Sequence, residues 1–430
     1  MLHLRYIEQA ECFYVYEALV GCAAHKGMID VEVSALIDMA LPLASISSKR
    51  YLEVLERALR LSAGQPDPIL RARARATCLV RRMAAGGWNA LDAEECRKTL
   101  ESIWQTGDRN VLASHLIDYS FIQSFSSEYR DAHRSAAQSF AILSAGGEES
   151  PYMGVAYWLS HRSLLFLGEW GEALREIDAA IARMEKNGNH HHVHTMRLYR
   201  AWVHFDALDF TGVLGVCEAG LAALNLIRSS SGVRHCLVLA GSAEVMLGQH
   251  ERALQHLLAA RDGMDREAVI FDWYWRIPLE SALTELWPAK ADLAQAQWQA
   301  ERFLHATLAT AERTWQALAW EANARVAAAQ DDAGRAQICI GKARSTLEDC
   351  EAPLAAWRVH ATSAELDGLR GAKNLALLPH RRSVFPRRFL TRCSRRIHPV
   401  ASRGSWRATD DPWRERLWRQ KRTHLTGLSE

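Results

Sequence analysis

The stretch that decides the fold is LFLGEWGEALREIDAAIARM, residues 165–184. After Gly168, apolar residues recur at i, i+4, i+7 and i+8, namely Ala173, Ile177, Ala180 and Ile181. This spacing lays one apolar stripe along a helix. Because a glycine can take the positive φ that the end of a helix needs, the stretch predicts an amphipathic helix entered through a tight elbow.

The same elbow recurs about every 40 residues. MLGQHERALQHLLAAR, residues 246–261, places Ala253 80 residues after Ala173, and Val213 lies halfway between them. Further positions in register, at steps of 39 to 43 residues, are Val54, Ala93, Ala132, Ala296, Ala336 and Ala376. Each interval has room for two helices of about 12 to 16 residues and two turns. The sequence therefore predicts stacked helical hairpins, with elbows between antiparallel helices at Gly168, Gly248 and Gly334.

The pattern Gly-x-Trp-x-x-Ala-x-x-x-Ile-x-x-Ala-Ile, residues 168–181, resembles the second half of a tetratricopeptide repeat. The step of about 40 residues is similar to the longer repeats in the C-terminal arm of bacterial signal-transduction ATPases and of regulators like the maltose-operon activator. EAPLAAWRVHATSAEL, residues 351–366, resembles the final repeats of such regulators. The resemblance implies an all-α, right-handed superhelical solenoid of tetratricopeptide-like hairpins, whose inner face is lined mainly by the first helix of each hairpin.

Charge divides the chain into a body and a tail. Residues 1–370 hold 37 Lys and Arg against 46 Asp and Glu, whereas residues 371–430 hold 15 against 4. We predict N-terminal capping helices over 1–50, tetratricopeptide-like repeats over 51–376 and a separate basic tail over 377–430. The nine cysteines are scattered without a CxxC pair, and no apolar run is long enough to span a membrane, so the sequence favours the reducing cytoplasm.

No catalytic motif accompanies the repeats, so we expect a protein that is not an enzyme and holds no cofactor. The nearest match to a phosphate-binding loop, GRAQICIGKAR, separates Gly334 from Gly341 by six residues instead of four and has Ala343 where magnesium needs a hydroxyl. His190 and His194 have the i, i+4 spacing of zinc ligands but lack a Glu-x-x-His arrangement or a nearby Cys. We interpret that run as a polar turn before a helix that begins near His191, and we predict no metal.

Binding is the function that the repeat pattern favours. FDWYWRIPLE, residues 271–280, crowds three aromatic rings beside an arginine, and consecutive helical residues cannot all face inward. Such a patch is either a recognition site or wide packing between repeats. If first helices share an inner groove, the candidates for contact with a protein partner or small effector are Trp158, Arg162, Tyr199, Trp202, Trp273, Arg276, Trp320 and Arg358. The predicted function is a partner-binding scaffold, the sensor arm of a bacterial signalling or transcriptional regulator.

The tail breaks the helical pattern. Four prolines and thirteen arginines follow Ala376, and the apolar stripe stops there. One interpretation is a basic tail that binds nucleic acid through its arginines, with Trp406, Trp413 and Trp418 available to stack on bases. The other, which we favour, is a slip of the reading frame near residue 375. The alternative function is therefore nucleic-acid binding through the tail alone, and no membrane partner is expected.

Overall fold

The protein is described by a computed structural model that covers residues 9–43, 47–65, 67–104, 109–145, 153–186, 190–226 and 230–374. Within these ranges the chain forms α-helices joined by short turns and has no strand. The helices are α1 (Gln9–His25), α2 (Ile29–Leu43), α3 (Ser48–Ser62), α4 (Pro68–Gly86), α5 (Ala90–Trp104), α6 (Arg109–Phe125), α7 (Tyr129–Ala145), α8 (Met153–Phe166), α9 (Trp170–Lys186), α10 (His190–Asp206), α11 (Phe210–Leu226), α12 (Ser230–Met246), α13 (His250–Arg266), α14 (Asp272–Ala289), α15 (Leu293–Leu308), α16 (Arg313–Ala329), α17 (Ala333–Thr346) and α18 (Pro353–Asn374). The prediction of an all-α solenoid is confirmed.

From α4 to α17 the helices form seven successive hairpins, each with a first helix, an elbow and a second helix. One residue of every elbow has a positive φ, between +61° and +104°: Gly87, Ser127, Gly168, Leu208, Gly248, Ala291 and Asp331. Consecutive elbows are 40 to 43 residues apart, which confirms the predicted period. A single residue in this left-handed conformation reverses the chain between two antiparallel helices.

The prediction for one elbow was wrong. Gly334 is the second residue of α17, and the turn before this helix is made at Asp331, with a φ of +62°. The side chain of Asp332 caps α17 by accepting a hydrogen bond from the backbone nitrogen of Arg335 at 2.9 Å, which starts the helix before the glycine. An aspartate can also adopt the left-handed conformation, so a glycine is not required at an elbow.

Hydrogen bonds make the elbows alike. At the Gly168 elbow, Gly168 N donates to Leu165 O at 3.0 Å and Glu169 N donates to Leu164 O at 2.9 Å. Gly248 and Gln249 bond to the end of α12 in the same way. These bonds satisfy carbonyls at the end of the first helix that would otherwise lack partners.

The second helices bury the predicted alanine stripe. From the elbow at Ser127 to the elbow at Asp331, the residue five positions after each elbow is fully buried: Ala132, Ala173, Val213, Ala253, Ala296 and Ala336. Of the weaker registers, Ala93 is also buried, Val54 is half-buried, and Ala376 lies outside the described residues. Small side chains let the two helices approach closely, since a Cβ added at Gly241 of α12 would lie 2.7 Å from Leu257 of α13.

Packing follows the order of the chain. From α6 to α16 each first helix contacts the first helix of the next hairpin, and each second helix contacts the first helices before and after it. The chain divides into one unit over Met1–Leu366 and another over Asp367–Glu430, and of the second unit only the end of α18 is described. The predicted tail, residues 377–430, lies outside the described residues.

None of the described helices combines the length and the apolar character that a crossing of a membrane requires.

Candidate functional site on the inner face

Equivalent side chains of successive first helices form one surface, which we call the inner face. The position six residues before each elbow defines it from α6 to α16: Phe121, Arg162, Trp202, Ser242, Glu285 and Arg325. Because the first helices lie side by side, these positions follow one another along the array. The inner face is largely aromatic in its first half and charged in its second half.

The aromatic half is filled by its own side chains. Trp158 donates from Nε1 to the hydroxyl of Tyr199, and Trp202 donates from Nε1 to Nε2 of His235. The Trp202 ring also stacks on Trp275 of α14 at 6.3 Å. All five side chains are buried, so this half of the inner face has little surface left for a partner.

A short segment between α13 and α14 completes this filling. The segment, residues 267–271, belongs to the one interval of 43 residues between elbows and precedes Asp272, where α14 begins. The ring of Phe271 lies 4.8 Å from that of Trp158, and Phe271 N donates to Ala84 O of α4 at 2.8 Å. Ser48 N at the start of α3 donates to Ala268 O at 2.8 Å. We call residues 267–271 the plug segment, because it connects two N-terminal helices to the aromatic half.

A buried ion pair joins hairpins that are far apart in sequence. Arg162 of α8 donates from Nη2 to Oε2 of Glu312 at 2.6 Å, and both side chains are almost completely inaccessible. Tyr129 donates to Oε1 of Glu312 at 3.1 Å, and the Arg162 guanidinium lies 4.0 Å from the centre of the Phe125 ring. Although burial disfavours the charge of Arg162, the Glu312 carboxylate raises the pKa of Arg162 above its usual value. This pair belongs to the interior of the protein.

The charged half of the inner face is open to solvent in part. Arg325 donates to Oε2 of Glu285 at 2.8 Å and to Oε1 of Glu321 at 2.7 Å. Arg358 of α18 donates to Oε1 of Glu285 at 2.8 Å. The side chains of Glu285, Arg325 and Arg358 are 25%, 20% and 27% exposed. Burial opposes the ionisation of Glu285, but the charges of Arg325 and Arg358 lower its pKa to about 2.

Two polar atoms in this region have no hydrogen-bond partner among the described residues. They are the acceptor Oδ2 of Asp206, at the end of α10, and the donor Nε of Arg358. Burial raises the pKa of Asp206 to about 7, and the charge of Arg358 acts in the opposite direction, which places the two groups within electrostatic reach of each other. We call Asp206, Glu285, Glu321, Arg325 and Arg358 the charged cluster.

The eight residues predicted as groove contacts fall into three environments. Trp158, Arg162, Tyr199 and Trp202 line the inner face but are buried. Three others bond elsewhere: Trp273 donates to Ala84 O at 3.0 Å, Arg276 pairs with Asp265 at 2.6 Å, and the Trp320 ring lies 4.3 Å from Nζ of Lys342 on its own hairpin. Only Arg358 lies in the charged cluster.

Sequence reasoning missed the other four members of the cluster. Glu285 and Arg325 share the position six residues before the elbow, and Asp206 lies two residues before the elbow Leu208. Counting back from each elbow would have placed them on the inner face. Aromatic residues were the stronger signal in the sequence, but here they pack together instead of facing solvent.

Comparison with known proteins shows the fold. No protein-family model matches the chain, and no curated protein matches it in sequence. A solved structure of a Rap protein complexed with competence and sporulation factor is similar, with a TM-score of 0.60 and 9% identity, over 81% of this chain and 98% of the other.

Two further solved structures are more distant. The apo form of RapI has a TM-score of 0.49 and 9% identity, over 79% of this chain and 97% of the other. A signal-transduction ATPase with a tetratricopeptide repeat sensor, from Pyrococcus horikoshii, has a TM-score of 0.45 and 14% identity, over 84% of this chain and 55% of the other. The elbow spacing and the likeness to the Rap protein make this chain a tetratricopeptide-like helical-repeat protein.

Proposed function

We propose that the protein is a non-enzymatic scaffold that binds an extended segment of a protein partner at the charged cluster. The observation that carries the proposal is the pair of unpartnered atoms, Oδ2 of Asp206 and Nε of Arg358. Buried polar groups in proteins nearly always have a hydrogen-bond partner, so an unpartnered acceptor and an unpartnered donor favour a ligand that supplies both complements. Both atoms are closed to solvent in the structure, so a partner reaches them only when the side chains around them move. A peptide group then supplies its N–H to Asp206 and its carbonyl oxygen to Arg358.

The place of the cluster in the array supports the same proposal. The plug segment and the buried rings occupy the aromatic half, whereas Glu285, Arg325 and Arg358 keep accessible surface. Arginine and carboxylate side chains held by each other are already oriented, so little conformational entropy is lost when a partner binds. The solved structure of the Rap protein is a complex with competence and sporulation factor, and its fold is shared here.

The proposal can be tested by panning a random heptapeptide library on the full-length protein. Each selected peptide is labelled, and its affinity is measured by fluorescence anisotropy. We expect Asp206→Ala and Arg358→Ala each to weaken binding at least about tenfold, the loss of one hydrogen bond to a charged group. Circular dichroism of each variant verifies that the helices remain.

Arg276→Ala is the matched control, because Arg276 pairs with Asp265 away from the cluster. It should leave the affinity unchanged. Selected peptides that bind Asp206→Ala and Arg358→Ala as tightly as the unchanged protein would contradict the proposal, as would a library that yields no peptide. Weakening by Arg276→Ala alone would move the site to the residues around Trp273.

A more specific role follows from the resemblance of the repeats. We propose that the chain is the sensor or partner-binding arm of a bacterial signalling or transcriptional regulator and acts in the cytoplasm. The described cysteines are all free thiols, which suits a reducing compartment. Co-purification with an ATPase or a DNA-binding protein encoded by a neighbouring gene would support this role, and a partner set without regulators would argue against it.

The second candidate function, nucleic-acid binding, depends on the 15 basic residues against 4 acidic ones over residues 371–430. Arginines in such number bind phosphates with an affinity that falls as salt rises. A gel-shift assay with the full chain and with a chain ending at Gly371 tests it. Binding that disappears with the tail supports this function, and equal binding or none in both excludes it.

A further inference from the structure

A second group of ionisable side chains involves the second helices of two successive hairpins, α7 and α9. His133 of α7 and Glu172 and Glu176 of α9 each offer one ligand atom, and these atoms all lie within 4.8 Å of one another. His133 and Glu176 are half-buried and Glu172 is exposed. The group therefore connects the second helices of two successive hairpins at a place that ions in solution can reach.

A buried histidine points into the same group. His161 of α8 has a fully inaccessible side chain, and its Nε2 lies 3.5 Å from Oε2 of Glu176. Neither ring nitrogen of His161 has a hydrogen-bond partner. Leaving such a group without a partner is costly, because it loses its bonds to water on folding. A ligand at this place would remove the cost.

The identity of the residue at 161 is unusual for its place in the repeat. His161 stands seven residues before its elbow, and the same position in the other hairpins has Val80, Ser120, Ala201, Gly241, Thr284 and Ala324, all smaller than histidine. Small residues there suit the close approach of the two helices. The His161 ring stacks on the Tyr157 ring at 5.7 Å, and this contact leaves both ring nitrogens without a hydrogen-bond partner.

Charge balance points to a cation. Within the described ranges, neither Glu172 nor Glu176 forms an ion pair with a lysine or arginine. The equivalent positions of α13 have Arg252 and His256 instead, and both pair there with the buried carboxylate of Glu244, at 3.2 and 2.8 Å. In the hairpin of α8 and α9, by contrast, these two positions are both carboxylates and have no arginine to balance their charge.

We propose that His133, His161, Glu172 and Glu176 bind a divalent transition metal such as Zn²⁺. Two imidazoles and two carboxylates form a mixed nitrogen and oxygen set that suits zinc, whereas Mg²⁺ and Ca²⁺ prefer oxygen alone.

Ser160 is placed to orient two of the ligands. Its hydroxyl lies 2.9 Å from Nδ1 of His133 and donates to Oε2 of Glu176 at 2.8 Å. Hydrogen bonds from neighbouring side chains commonly hold metal ligands in position. Bound metal would tie α7 to α9 and so hold the angle between two hairpins.

The test is isothermal titration calorimetry of the full chain with ZnCl₂, in a background where the run His190, His191 and His192 is replaced by glutamine, so that consecutive histidines do not bind zinc non-specifically. We expect one equivalent of zinc. His133→Gln and Glu172→Gln should weaken binding at least about tenfold, by loss of a ligand. Cobalt in place of zinc should give visible absorption from nitrogen and oxygen ligands, without the near-ultraviolet band of thiolate.

His256→Gln is the matched control, because it changes a histidine at the position of α13 equivalent to Glu176, where it pairs with Glu244. It should bind zinc as the background protein does. The Glu172 variant keeps the test valid if a buried change such as His161→Gln disturbs folding, since Glu172 is exposed. The proposal is overturned if the background protein takes up no zinc, or if the His133 and Glu172 variants bind it equally well.

Discussion

At the scale of single residues, the buried alanines of the second helices set the distance between the two helices of a hairpin. Ala173, Ala180, Ala253 and Ala260 are fully buried, as predicted from their spacing. A buried methyl group fills the crossing without separating the helices, and interiors are packed too densely to take up additional carbons freely.

We predict that Ala253→Leu destabilises the protein by about 1 to 3 kcal/mol, because the larger side chain overpacks the contact between α12 and α13. Urea denaturation followed by circular dichroism measures the effect. Ala259→Leu on the same helix is the control, because Ala259 is exposed, and it should change the free energy of unfolding little. Equal midpoints for Ala253→Leu and the unchanged protein would mean that the stripe is loosely packed.

Asp206 makes stability depend on pH. Burial raises its pKa from 3.8 to about 7 in the folded protein, whereas the unfolded chain keeps the ordinary value. Between about pH 4 and 7 the folded state holds a proton that the unfolded state releases. The Asp206 contribution to the free energy of unfolding therefore falls as pH rises through this range and stays low above it.

We predict that Asp206→Asn stabilises the protein above pH 7 by about 1 to 4 kcal/mol and has little effect near pH 4. The amide keeps the size of the side chain and cannot ionise. The difference between the two proteins in urea midpoint is measured from pH 4 to 8. If the difference in urea midpoint between the two proteins does not change with pH, the pKa of Asp206 is not raised by folding and the prediction is wrong.

At the scale of elements, the elbows set where the first helix of each hairpin ends and the second begins. Glycine is at two of the six elbows from Ser127 to Asp331, and the other four have Ser127, Leu208, Ala291 and Asp331 at positive φ. A residue with a Cβ is strained in this conformation by about 1 to 2 kcal/mol. The hairpins keep these turns because packing of the apolar stripe outweighs the strain.

Opposite changes at two elbows test this account. Gly248→Ala should destabilise by about 1 to 2 kcal/mol through backbone strain alone, since a Cβ there would meet no atom within 4 Å. Ala291→Gly should stabilise by up to about 1 kcal/mol, because relief of strain exceeds the entropic cost of glycine. Thermal midpoints measure both, and changes of the same sign would refute the account.

The whole molecule is held together across hairpins as well as along them. Arg162 of α8 and Glu312 before α16 are 150 residues apart in sequence and in contact in the fold. The plug segment joins α3, α4 and the aromatic half in a similar way. Contacts of this kind make a linear array behave as one cooperative unit, since each hairpin gains neighbours beyond the adjacent ones.

We predict that Arg162→Met destabilises the protein by about 3 to 5 kcal/mol, because it leaves the Glu312 carboxylate buried without its partner. The double variant Arg162→Met with Glu312→Gln should lose less free energy of unfolding than Arg162→Met alone. Arg130→Met is the control, since Arg130 and Glu351 are more than half exposed and such pairs contribute at most about 1 kcal/mol. Urea denaturation measures the free energy of unfolding of each variant. Equal decreases for Arg162→Met and Arg130→Met would contradict the burial of the Arg162 ion pair.

The sequence by itself determined the array. The period near 40 residues, the buried alanines and the elbows at Gly168 and Gly248 are local features, because each follows from which residues recur along one helix or at its end. The helix predicted to begin near His191 begins at His190. The elbow at Asp331 was placed three residues late, since a glycine nearby was the stronger local signal.

Only the tertiary structure decided which residues of the inner face remain accessible. Trp158, Arg162, Tyr199 and Trp202 lie on the predicted face, yet Phe271, Trp275 and Glu312 from distant hairpins cover them. The charged cluster likewise joins residues from α10, α14, α16 and α18. Whether a residue of the inner face is buried depends on the rotation between successive hairpins. These small rotations add up along the array, and no local sequence pattern encodes their sum.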